Sequence, residues 1–144
     1  MKKTAPRYRK EDYELLAEFR YRLRRFLRFS EQAAMQNGLT PQQYQVLLAI
    51  QGYPGRHEIT MSELAERLQI NHHSAVGLVD RLEAAGFVRR APAPDDRRKV
   101  LLRLTPEGLA IMDATYGLHR DALRTLGPQL TELLQQASEL PSQG

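Results

Sequence analysis

The apolar positions of this chain fall at helical spacing for most of its length and switch near residue 87 to two short strand-like runs. Leu16, Phe19, Leu23 and Phe26 alternate spacings of three and four. That pattern predicts an amphipathic helix from near Glu11 to the stop at Gly38. A helix of about 25 residues is long for so small a chain and predicts packing on a second subunit as well as on its own core. Thr40-Pro41-Gln42-Gln43 opens a second helix: Thr40 as N-cap, Pro41 at the first helical position, Gln43 closing a capping box. Tyr44, Val46, Leu47, Leu48 and Ile50 make its middle apolar nearly all round, so it is expected to be buried. Gly52-Tyr53-Pro54-Gly55 predicts a turn, and His57 to Thr60 a short edge strand.

Thr60-Met61-Ser62-Glu63 is a second capping box and opens a third helix with Leu64, Ala65 and Leu68 facing inward. About three residues later Asn71 caps a fourth, the spacing of a helix-turn-helix. Ala75, Val76, Val79, Leu82 and Gly86 share the side that packs on the third helix. The opposite side shows His73, Ser74, Gly77, Arg81 and Ala84, all short or polar. A helix entering a DNA major groove about 12 Å wide requires such a face, with donors near its N-terminus. Gly77, inside the helix, costs about 1 kcal/mol against alanine. Either it permits close approach to another backbone or to DNA, or the position tolerates glycine. His72 and His73 point about 100° apart and have no carboxylate or cysteine cluster nearby in sequence, so metal binding is not expected. His73 is expected to reach a phosphate or base edge, and His72 to turn toward the core. Ser74 has two readings, a DNA contact or service to the helix N-terminus.

Phe87 to Arg90 and Lys99 to Leu104 are the two strand candidates, flanking Ala91-Pro92-Ala93-Pro94-Asp95-Asp96-Arg97-Arg98. Pro92 and Pro94 are expected to keep the connection out of the ladder, and Asp95-Asp96 to favour a turn. Arg97 and Arg98 at the tip of such a hairpin suit a narrow, electronegative minor groove. Asp96 would then orient an arginine through a charge-assisted bond. Thr105-Pro106-Glu107-Gly108 starts a fifth helix bearing Leu109, Met112, Tyr116, His119 and Leu123. Gly127-Pro128 is expected to break it before a last helix with Leu130, Leu133 and Leu134, and the Pro141–Gly144 tail to fray.

Charge sharpens this picture. The net +4 is uneven: residues 1–28 carry net +6 and residues 87–103 net +4, while 29–86 and 104–144 each carry net −3. Two basic islands on an otherwise acidic chain suggest a localised polyanion-binding surface. Whether Arg20 to Arg28 touch DNA or line a ligand or dimer interface is left open. The chain has 144 residues, 42% of them apolar, and no cysteine. That is one domain's worth of chain, without disulfides or a thiol redox sensor. No apolar run approaches the ~18–20 residues of a bilayer span, and the basic start lacks a signal core, so a soluble cytoplasmic protein with no membrane association is expected. There is no glycine-rich phosphate loop, no nucleophile elbow and no ligand spacing among the four histidines. No enzyme activity, metal or cofactor is expected.

The motifs then resemble a known family. Asp96-Arg97-Arg98 followed by Leu102-Arg103-Leu104-Thr105-Pro106-Glu107-Gly108 is similar to the wing pattern of the MarR family of winged-helix regulators. Leu82 to Arg90 resembles its recognition-helix end, and Leu64-Ala65-Glu66-Arg67-Leu68 the preceding helix. The resemblance implies a mainly α fold with a small β wing (α+β), a winged helix-turn-helix joined to a helical dimerisation region. The expected parts are residues 1–38 as arm and dimerisation helix, 39–105 as DNA-binding domain and 106–144 as C-terminal dimerisation helices. It implies a homodimer on a pseudo-palindromic double-stranded operator, acting as a repressor and released by a small aromatic effector. By position Arg98 matches the family's minor-groove arginine and Asp96 its partner; His73, Ser74, Gly77 and Arg81 rest on the helical-face argument alone. A protein-interaction adaptor without sequence-specific DNA binding is the alternative.

Overall fold

A computed structural model of the chain describes residues 4–5 and 7–141. Its elements are α1 (Lys10–Gln36), α2 (Pro41–Gln51), β1 (Glu58–Thr60), α3 (Met61–Leu68), α4 (His72–Ala84), β2 (Val88–Pro92), β3 (Val100–Leu104) and α5 (Pro106–Ser138). The described residues divide into two units: 31–118, and those up to 30 together with those from 119 on. The readings for Met1–Lys3 and for Ser142–Gly144 lie outside the described residues.

In the larger unit, local chemistry starts the helices. The Thr40 N–H donates to Gln43 Oε1 (3.0 Å) and the Gln43 N–H to Thr40 Oγ1 (3.1 Å). Thr60 and Glu63 repeat the exchange at 2.9 and 3.2 Å, and Asn71 Oδ1 accepts from the Ser74 N–H at 2.7 Å. Each cap satisfies donors the first helical turn leaves orphaned, worth about 1 kcal/mol apiece. α3 ends at Gln69, which sits in the left-handed region at φ 54°, and the chain turns into α4.

The antiparallel sheet has the order β1-β3-β2, with Ile59 opposite Leu102 and Val88 opposite Leu104. Leu47, Ile50, Ile59, Leu64, Val79, Leu82 and Leu102 are fully buried and lock the helix-turn-helix to the sheet. Burial contributes about 1.5–3 kcal/mol for each such side chain. The link back from the wing is a tight one. The Thr105 hydroxyl donates to the Gly86 carbonyl (2.6 Å) and accepts from the Gly108 N–H (3.0 Å), while the Thr105 N–H donates to the Phe87 carbonyl (3.0 Å). A side chain at position 108 would collide with that Phe87 oxygen. The glycine of the Thr-Pro-Glu-Gly motif is therefore steric in origin.

The helical unit combines the first part of α1 with the last part of α5. His119 is buried, shares a 2.7 Å hydrogen bond with Ser30, and receives Phe26 and Phe29 edge-on. Arg22 donates to Glu18 of its own helix (2.7 Å) and joins the two helices by donating to Gln129 of α5 (3.0 Å).

Several expectations need correction. α5 runs unbroken through Gly127-Pro128, so one C-terminal helix stands where two were expected. A mid-helix proline costs about 3 kcal/mol. Half-buried Ala122, Leu126, Leu130 and Leu133 keep one helical phase across it, so packing favours continuation. The inward stripe of α5 is Met112, Thr115 and His119, whereas Leu109, Tyr116 and Leu123 are exposed. Leu16 and Leu23 of α1, and Leu48 of α2, are exposed too. The sequence marks these residues as apolar but cannot say which edge of a broad stripe the chain itself covers.

Candidate nucleic-acid interface

The helix-turn-helix turns its small, polar face outward. His73, Ser74, Arg81 and Ala84 are exposed on α4, while Ala75, Val79 and Leu82 are buried. A Cβ built at Gly77 meets nothing within 4 Å. No neighbour within the described chain demands glycine there. The Ser74 N–H is taken by Asn71, so the cap is served by asparagine.

His72 differs from expectation. It is exposed rather than turned to the core. Although in phase with Val79, it precedes the first buried position, Ala75, and lies at a groove of about 600 Å³. This groove runs between the start of α3, the first turns of α4 and the base of the wing, and is lined by Ser62, His72, Val76, Arg90, Arg98 and Lys99 among others. It brings the first turn of α4 beside the wing.

In the wing, β2 continues through Pro92, which pairs with Val100, so the ladder outlasts the expected break. Pro92 is the last residue of its strand, a place where its missing N–H costs little. The Ala93 N–H still donates to the Lys99 carbonyl (3.1 Å). At the tip, Asp96 Oδ1 accepts the Arg98 backbone N–H at 3.0 Å, and the Arg98 Nε lies 3.8 Å away. Asp96 thus holds the backbone of Arg98 more tightly than its guanidinium, whose side chain is 95% exposed. Arg97 is exposed beside it.

Two ion-pair clusters were not anticipated. Arg90 of β2 donates to Asp80 (2.6 Å) and Glu83 (2.9 Å) of α4, and its backbone N–H donates to the other Glu83 oxygen (3.2 Å). Burial opposes the Arg90 charge, but the hydrogen bonds and fields of the two carboxylates outweigh it and raise its pKa. Acidic residues three apart on one helix and a basic strand just downstream were the available signal. At the start of α3, Arg56 pairs with Glu63, and Arg56 and Arg67 lie over the Tyr53 ring at 4.5 and 4.7 Å. Partial burial pushes the Glu63 carboxyl up. Hydrogen bonds from the Thr60 N–H, Arg56 and Tyr53 overcome this and lower it from 4.5 to about 2. Among the described residues no group of three or more histidine, cysteine or carboxylate side chains could hold a metal, and no helix is long and apolar enough to cross a membrane.

Known proteins are similar to this chain in sequence and in fold. The MarR family profile matches residues 37–99. The transcriptional regulator PecS of Dickeya dadantii is 32% identical over 81 residues, 56% of this chain and 49% of that one. The transcriptional repressor NicR of Pseudomonas putida is 33% identical over 84 residues, 58% of this chain and 51% of its own. The chain thus spans about half the length of these curated relatives. Among solved structures, a mutant MarR from E. coli complexed with operator DNA superposes with TM-score 0.66 at 26% identity, covering 91% of this chain and 96% of that one. The mostly helical fold with its small three-stranded antiparallel sheet is that of these winged-helix structures.

Proposed function

For a chain that is similar to the MarR family over residues 37–99, we propose a dimeric, sequence-specific regulator of transcription that binds duplex DNA through residues 39–105. The observation that carries this reading is the groove joining α4 to the wing. It puts His72 and Val76 from the first turns of α4 and the largely exposed Arg98 on the lining of one surface. α4 would enter a major groove with His73, Ser74, Gly77 and Arg81 toward the base edges, and Arg97 and Arg98 would reach the minor groove. Asp96 fixes the turn that aims Arg98.

Dimerisation is supported by the helical unit. Tyr13, Leu16, Leu23 and Leu27 recur at spacings of three or four to seven along α1 and remain exposed. A second copy of the chain would cover them, as the helices of residues 1–38 and 106–144 pair. Two recognition helices about 34–36 Å apart then meet successive major grooves on one face of a pseudo-palindromic operator. Occupancy there represses transcription by exclusion. A small aromatic effector would act by favouring a dimer geometry with a different spacing. An apolar cavity of about 190 Å³ in the helical unit, lined by Phe26, Phe29, Ala122 and Leu126 with Arg22 and Arg25, is one place such a ligand fits.

The test is fluorescence anisotropy on duplexes flanking the protein's own coding region, at several salt concentrations. Salt-steep, sequence-preferring binding that Arg98→Ala weakens by about 1–3 kcal/mol is expected. Absence of binding to any duplex at low salt would leave the adaptor reading standing instead.

A further inference from the structure

Three bonds join one side of α4 to a single strand residue. Glu83 spends one oxygen on the Arg90 backbone N–H and the other on Arg90 Nη1, and Asp80 takes Nη2. Because Asp80 and Glu83 are three apart on the helix, α4 can neither roll nor slide without breaking a bond to the guanidinium. Arg90 in turn pairs with Leu102 of β3 and lies two residues before the end of β2, where the wing departs. Its side chain is only 26% exposed, against 95% for Arg98.

The same three residues settle an electrostatic conflict. Asp80 and Glu83 flank Arg81 on a helix that would lie against phosphates, and unpaired they would repel the backbone and compete for Arg81. Arg90 occupies the carboxylate oxygens named above with both terminal nitrogens of its guanidinium.

Resting on the DNA-binding reading above, we propose that Arg90 is a positioning residue for sequence discrimination. It fixes the rotation and axial setting of α4 relative to the wing, so that base-reading and groove-reading side chains reach one duplex in register, and it makes no phosphate contact of its own.

The experiment compares wild type, Arg90→Gln, Arg90→Lys, Glu83→Gln and the double variant Arg90→Gln/Glu83→Gln. A preferred duplex is first selected from a random library by the wild type. Affinities for that duplex and for a scrambled one are then measured across salt, with thermal midpoints alongside. Arg90→Gln should lower the preferred-to-scrambled ratio about tenfold, the loss of one well-placed base contact. Its affinity for the scrambled duplex should fall less than that for the preferred one, through repulsion by the two freed carboxylates, and its salt slope, which counts phosphate contacts, should stay as in wild type. Arg90→Lys should recover part of the ratio. Glu83→Gln, a change at an exposed carboxylate that keeps the fold even if Arg90→Gln does not, should lower the ratio too, and the double variant should fall no further than Arg90→Gln. Equal loss on both duplexes with a salt slope smaller by about one would overturn the proposal in favour of a direct phosphate contact. An unchanged ratio, or additive losses in the double variant, would overturn it as well. A wild type that selects no duplex overturns the DNA reading and this inference together, whereas normal selection with an unaffected Arg90→Gln overturns the inference alone.

Discussion

Leu82 and Leu102 of the larger unit are fully buried, whereas Tyr13 and Leu16 of the helical unit stay 60% and 59% exposed. The larger unit closes on itself: its helices are capped and its sheet is paired. In the helical unit Leu27, Leu123 and Leu134 are exposed too. Apolar residues spaced at three and four on one helix are rarely left in water when they form a continuous stripe. The contrast divides the labour. On the proposed reading, the larger unit presents the cations of the wing, and the exposed stripe of the helical unit is covered by a second copy of the chain.

The sharpest way to break that contrast is to charge the exposed stripe. Leu16→Glu with Leu27→Glu should weaken self-association by at least about 100-fold, about 2.7 kcal/mol. The larger unit should keep its far-ultraviolet signature and thermal transition. Sedimentation across protein concentration reads the outcome, and an unchanged oligomer would show that the exposed stripe is no interface.

A smaller effect sharpens the self-sufficiency of the larger unit. Glu63 has its pKa depressed in the folded state, so the stability it contributes is fully present above pH 4.5 and is lost as pH falls toward 2. Glu63→Gln should cost about 1–2 kcal/mol at pH 7, after discounting for partial exposure. It should also flatten the acid limb of the stability curve between pH 4.5 and 2, as read by urea unfolding at several pH values.

The smallest change concerns the outward face. Gly77→Ala should stabilise the fold by about 0.5–1 kcal/mol, since nothing in the described chain occupies the space. Anisotropy on the preferred duplex should show weaker binding if α4 lies flush in a groove. A gain in both stability and affinity would show that the glycine serves no close approach.

Sequence made the local features legible and the long-range ones opaque. The caps at Thr40, Thr60 and Asn71 were readable because each is closed by residues within three positions. The wing was readable from its basic strands and acidic turn. The continuity of α5 was not. Proline is a strong local signal, and only the phase of Leu126, Leu130 and Leu133 overrides it. The exposure of His72 follows from its place ahead of Ala75, the first buried position of α4, and periodicity does not say on which turn burial begins. Arg90 stood out in sequence merely as one more positive charge of a basic strand. Its partners lie seven and ten residues away on another element, so only the folded chain singles it out.

The bare wing tip also has a genetic meaning. Arg98 is anchored through its backbone to Asp96 and its side chain touches little else, so replacing it should leave a protomer that folds and still pairs. Such a protomer would join normal copies into mixed assemblies able to grip only half an operator. Alleles at the tip should therefore behave as dominant, while alleles at Gly108, where any side chain meets the Phe87 carbonyl, should yield no folded protomer to interfere and behave as recessive.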